Sequence, residues 1–144
     1  MNLARLIEFQ GKAKATGKWI TGSLHFGNDL CNHLGPQYCD CVFIDRKEEN
    51  DKLSRYLVIP ETIGQYTNVI GSDGKKIYDH NIVSNGINRG EVYWNYTHNG
   101  WRVAAEGKDN HLFDTKLDGT YRSVGHKYEE LVQSNCCLSW PFSQ

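Results

Sequence analysis

The segment "EVYWNYTHNGWRVAAE", residues 91–106, restricts the chain more than any other stretch. Asn-Gly is the strongest short hairpin signal, because both central residues of a type I′ turn need positive φ. A two-residue loop at Asn99-Gly100 pairs His98 with Trp101, Tyr96 with Val103, and Trp94 with Ala105. Those residues and Val92 then share one face, while Tyr93, Asn95, Arg102 and Ala104 share the other. The hydrophobic pattern and the turn chemistry select the same register, so the segment reads as antiparallel sheet.

Similar punctuation recurs along the chain. In "KWITGSLHF", Trp19, Thr21 and Ser23 alternate with Ile20, Gly22 and Leu24, and the turn-rich "GKAKATGK" connects this strand to "LARLIEF". An N-terminal hairpin follows. "YCDCVFI" and "RYLVIP" read as strands, with the mixed-charge "DRKEENDKLS" between them as an exposed loop or one helical turn. "GSDGKK" is a hairpin turn, "KIYDHNIV" the returning strand, and "TYRSVG" a further strand. In "HKYEELVQS", Tyr128, Leu131 and Val132 lie at i, i+3 and i+4, the stripe of a short helix. The apolar tail "NCCLSWPFSQ" is expected to dock on the body or fray. A supply of 4 Trp and 8 Tyr against 1 Met suits strands better than helices. The expectation is a single mainly β domain over residues 1–144: a small SH3-like barrel, by analogy of strand rhythm, with an N-terminal hairpin and a short C-terminal helix.

Charge limits the partners. The formal net charge is -1, so the basic excess that supplies most nucleic-acid affinity is missing. Lys12, Lys14 and Lys18, and Lys75-Lys76 after a turn, are the local clusters, and solvated turn lysines are the simpler reading. No apolar run approaches the roughly 18 residues of a membrane span. The opening "MNLARLIEFQGKAKATGKW" lacks a signal peptide's apolar core and cleavage site. A cytoplasmic location is therefore expected. The 5 Cys form no Cys-x-x-Cys pair and read as free thiols.

Cys31, His33, Cys39 and Cys41 come nearest to a metal constellation. Soft thiolates and an imidazole around a Gly-Pro turn suit zinc, but structural sites separate close ligands by two to four residues, and here each close pair is separated by one. Strand cysteines beside a surface histidine fit better. The histidines at 25, 33, 80, 98, 111 and 126 have no local partner spacing and read as surface groups. Asp79 and His80 are adjacent, so on a strand they point to opposite faces. Cys136-Cys137 offers no supported nucleophile, and no GxSxG, GxGxxG or Walker loop occurs. Asn95-Tyr96-Thr97 matches a glycosylation sequon but lies inside the best-defined strand. Tyr93, opposite Trp94, is a candidate exposed aromatic for stacking, though a thin barrel covers both faces with aromatics anyway. No catalytic, cofactor or metal residue is assigned.

The stretch "VIPETIGQYTNVIGSDGKKIYDHNIV", residues 58–83, resembles the signature of the YopX-like phage protein family. That signature runs Val-x-Pro-x-Thr-hydrophobic-Gly-Gln-Tyr/Phe-Thr-Gly, then Asp-x-Asn-Gly-x-x-Ile-Tyr-Glu-Gly-Asp-Ile-Val. Pro60, Thr62, Ile63, Gly64, Gln65, Tyr66, Thr67, Gly74, Ile77, Tyr78, Ile82 and Val83 match it. "TGKWITGSL", "GEVYWN", "GWRV" and "YRSVGHKYEELV" resemble further segments, so the likeness covers most of the chain. Asn68 replaces the Gly after Thr, and Asp79-His80-Asn81 replaces Glu-Gly-Asp. The resemblance implies a phage or prophage setting and no established activity.

Residue by residue, the motif reads as architecture. Pro60 ends a strand, Gly64 permits a bend, Asp73-Gly74 turns the chain, and Ile77, Ile82 and Val83 supply core. Gln65 and Thr67 can satisfy buried backbone groups. The expected function is that of a non-enzymatic phage or prophage accessory protein acting through protein contacts, including homo-oligomers. The alternatives are a weak single-stranded nucleic-acid binder using those lysines, and a zinc- or thiol-dependent enzyme.

Overall fold

Alternating apolar and polar residues produce the strands that dominate the computed structural model, which describes residues 6–31, 37–106 and 112–132. Among the described residues all of the strand pairing is antiparallel, in two sheets, neither closed. The described residues divide into two compact units, one within residues 8–63 and 130–132, the other within residues 6–7 and 64–129.

In the unit of residues 8–63 four strands form a meander. They are β1 (Phe9–Lys12), β2 (Trp19–Cys31), β3 (Gln37–Lys47) and β4 (Leu53–Leu57), each paired with the next. The expected N-terminal hairpin is present as β1 and β2, with Lys12 opposite Trp19. Gly11 and Lys12, read as connection, belong to the strand, and Lys12 is buried rather than a solvated turn residue. Ala13, Ile20, Ile44 and Val58 form the core, with Leu24, Val42, Tyr56 and Ile63 packed against it. A 3-10 turn, Pro60–Thr62, follows. The buried Thr62 hydroxyl donates to the Ile59 carbonyl at 2.6 Å and accepts from the Lys12 amide at 2.9 Å, which ties the turn to β1.

In the unit that holds residues 64–129, β5 (Gly64–Ile70) and β6 (Lys76–Tyr78) form a hairpin with an irregularity between Tyr66 and Ile70. Asn68 takes positive φ, 66°, within it. Five further strands are β7 (Asn81–Ser84), β8 (Arg89–Asn95), β9 (Gly100–Glu106), β10 (Leu112–Lys116) and β11 (Arg122–His126). Their order across the sheet is β10-β9-β8-β7-β11. Ile77, Val83, Val92, Val103, Ala105, Leu117 and Tyr121 make the core beneath them, joined by Val69 and Trp101.

The mainly β expectation holds, and several details differ. The sheets are open, so the strands do not close into the expected SH3-like barrel. Residues 127–130 of the expected C-terminal helix form a turn, and 131–132 are irregular. The cause is local: the Glu129 carboxylate accepts from the His126 amide at 3.2 Å, and His126 Nδ1 accepts from the Tyr128 amide at 2.9 Å. Such side-chain bonds offer the backbone an alternative to a helix. Residues 133–144, including the tail, lie outside the described residues.

The Asn-Gly hairpin forms, but its loop spans residues 96–99 rather than two residues. Trp94 therefore faces Trp101, and Val92 faces Val103. The displacement is even, so the expected faces survive. Asn95 Oδ1 accepts from the His98 amide at 2.9 Å, and Asn99 alone in the loop has positive φ, 51°. The wider loop puts the two Trp rings edge to face at 5.1 Å, a favoured aromatic geometry. Finally, "KIYDHNIV" is two strands, β6 and β7, broken at Asp79-His80.

Candidate functional site

That break gathers a cluster of ionisable side chains: Asp79, His80, Glu91 and Lys127. Asn81 makes the turn: its buried side-chain oxygen accepts from the Tyr78 amide at 2.9 Å. His80 then takes φ 70°, the left-handed region. Its amide donates to the Val92 carbonyl at 3.1 Å, and its carbonyl accepts from the Lys127 amide at 2.9 Å. Gly64 fits beneath, because a Cβ there would collide with the Asp79 carbonyl. Close approach, not a bend, is why glycine occupies position 64, and the Asp79 amide donates to the Gln65 carbonyl at 3.0 Å.

The His80 ring lies between two carboxylates. Nδ1 is 3.3 Å from Glu91 Oε2, and Nε2 is 3.6 Å from Asp79 Oδ2. Lys127 Nζ is 3.6 Å from the other Glu91 oxygen. Tyr128 and His126 meet the ring at centroid distances of 5.4 and 6.1 Å, both edge to face. Burial raises the Asp79 carboxyl above its ordinary value, against the pull of neighbouring His80. The Glu91 charge raises the Lys127 ammonium. A neutral imidazole has one N–H and serves one carboxylate, whereas a protonated ring can donate to both.

This arrangement clamps three segments: the 79–80 turn, β8 through Glu91, and the residues after β11. A general base must present a ring nitrogen to its substrate. Here each nitrogen faces a carboxylate of the protein. The cluster therefore suits holding the turn and the end of β11 together. The surface reading of every histidine fails here, since His126 is 8% exposed and the His80 side chain 25%. His98 is exposed as expected. The signal missed was the Asp79-His80 turn: once it is placed, β7 and β8 pair so that Ile82 faces Glu91. The helical reading of residues 126–134 concealed the other half.

The other candidates do not join this cluster. Cys41 is buried in β3, while His33 and the side chains of Cys31 and Cys39 lie outside the described residues. Among the described residues no group of three or more His, Cys, Asp and Glu is arranged to hold a metal. Lys14, Lys18, Lys75 and Lys76 are at least partly exposed, and Lys76 lies over the Tyr66 ring at 5.4 Å. Tyr93 is half-buried in a polar network: its hydroxyl donates to Asp114 Oδ1 at 2.6 Å and accepts from Asn95 Nδ2 at 3.0 Å. Arg102 donates to Asp114 Oδ2 at 2.7 Å. Burial works to raise the Asp114 carboxyl, but the bonds from Tyr93 and Arg102 outweigh it and hold it below its ordinary value. The side-chain amide of the Asn95 sequon is occupied too: its Nδ2 donates to the Tyr93 hydroxyl and its Oδ1 accepts from the His98 amide.

No family model matches the chain, and no curated protein matches it. Among the described residues no helix is long and apolar enough to cross a membrane.

Proposed function

We propose that this chain is a non-enzymatic accessory protein of the YopX-like phage and prophage family, acting in the bacterial cytoplasm through protein contacts, self-association among them. The observation that carries the reading is where the motif residues point. The Thr67 hydroxyl donates to the Ile77 carbonyl at 2.8 Å and accepts from the Val69 amide at 3.2 Å. Ile77 and Val83 are core, Tyr66 and Tyr78 pack ring against ring, and Gly64 lies on the Asp79 backbone. Residues so committed to shape leave recognition to the surface they support.

Open sheets favour contact-based function. β4 on one unit, and β10 and β11 on the other, end their described sheets, and end strands offer unpaired backbone groups. Phe26, Ile87 and Tyr96 are largely exposed. Light scattering of the purified chain tests the self-association. A mass above the 16.5 kDa of one chain, rising with concentration, is expected. A single-chain mass across the micromolar range would remove self-association from the reading.

A further inference from the structure

The chain contains two Asn-Gly dipeptides, Asn85-Gly86 between β7 and β8 and Asn99-Gly100 between β8 and β9. Each is a potential site of spontaneous deamidation, because glycine leaves the following backbone nitrogen open to approach the asparagine side chain. The fold treats the two differently. We propose that Asn99 is a site of covalent self-modification to aspartate and isoaspartate in the folded protein, and that Asn85 is protected.

At the first site every reacting group is held. Asn85 Oδ1 accepts from the Ile87 amide at 2.9 Å and the Asn88 amide at 2.7 Å. The Asn85 amide donates to the Asn88 carbonyl at 3.1 Å. The Gly86 nitrogen, which would attack, donates to the Ser84 hydroxyl at 3.2 Å. Reaction requires the carboxamide to leave two donors and the nitrogen to leave its acceptor.

At the second site nothing comparable holds the side chain. Asn99 is exposed at the loop tip, with φ 51°, and its carboxamide takes no hydrogen bond among the described residues. Space does not separate the sites: an added Cβ at Gly100 would meet only the His98 carbonyl, at 3.8 Å, and one at Gly86 nothing within 4 Å, so the difference lies in the hydrogen bonds. Gly100 faces Asn95 on the last rung of the β8–β9 ladder, where local opening takes the least free energy.

The chemistry needs only water. The Gly100 nitrogen loses its proton and attacks Asn99 Cγ. The Cγ–Nδ2 bond breaks, and ammonia leaves with both amide hydrogens and one proton. The resulting five-membered imide adds water at either carbonyl, giving aspartate or, with the main chain rerouted through the side chain, isoaspartate. No electron transfer is involved. Either product adds a negative charge beside His98.

The test is incubation of the intact folded chain at mildly alkaline pH, followed by peptide mapping with mass spectrometry and isoaspartate detection. A parallel sample is kept in denaturant. In the folded chain Asn99 should convert at least about tenfold faster than Asn85, the two held groups accounting for the difference. In denaturant the two rates should converge. Ser84→Ala, which releases the Gly86 nitrogen, should raise the Asn85 rate alone. Equal folded rates, faster loss at Asn85, or a difference that persists in denaturant would each overturn the proposal.

Discussion

Asp79 carries the clearest electrostatic consequence at the scale of a single residue. Its folded-state carboxyl sits above the ordinary value of 3.8 because burial disfavours the charge. The folded chain thus holds this proton more tightly than the unfolded chain. The stability so gained is fully present below pH 3.8 and is lost as pH rises through the folded value. At neutral pH the ionised group is a net burden, which His80 only partly relieves. Asp79→Asn removes the titration but keeps the shape. Thermal or urea unfolding at pH 7 should show a gain of about 0.5–1 kcal/mol, the ordinary range for a stabilising substitution. At pH 3 the gain should vanish. A loss of stability at pH 7 would mean that the Asp79–His80 contact outweighs desolvation.

At the scale of elements, Gly64 and the 79–80 turn depend on each other. A methyl at position 64 collides with the Asp79 carbonyl, which the Gln65 pairing holds in place. Gly64→Ala should therefore destabilise by about 2–3 kcal/mol, the upper part of the range for overpacking. Gly27→Ala is the control, since a Cβ there meets the Phe43 ring at an ordinary 3.5 Å. It should change unfolding free energy by less than about 0.5 kcal/mol. Comparable effects at both positions would show that glycine content, not the close approach, matters. Strand existence and facing were readable in the sequence because both follow from alternation: Val92, Val103 and Ala105 fall on the core side as their pattern requires. Loop length was not. Asn95 caps the loop through its side chain, and a capping bond of that kind competes with the two-residue turn without altering the alternation. The His80 cluster was hidden for a related reason. Asn81 ends β6 by a side-chain bond, Glu91 arrives from β8, and Lys127 arrives from the turn after β11. Thr67 was legible, because a threonine among buried apolar residues must find backbone partners, and it does.

At the scale of the molecule, the disposition of charge separates protein contact from nucleic-acid contact. The formal net charge of -1 sets a low ceiling on counterion release. The structure lowers it further by pairing cations with carboxylates. Arg46 bonds Glu48, Arg55 bonds Asp45, and Arg102 bonds Asp114, at 3.2, 2.8 and 2.7 Å. Lys47 pairs with Asp51 and Lys127 with Glu91. Lys12, one of the lysines of the nucleic-acid reading, is buried at 8% exposure. A cation already facing a carboxylate releases little when a phosphate approaches. Titration with a single-stranded oligonucleotide across a range of salt concentrations should therefore give weak binding with a shallow salt slope. Each phosphate neutralised on a single strand contributes about 0.7 to that slope. A slope near 3 would require about four phosphates to be held at once. The exposed lysines would then have to act together, and a nucleic-acid partner would displace protein contact as the better reading of the surface.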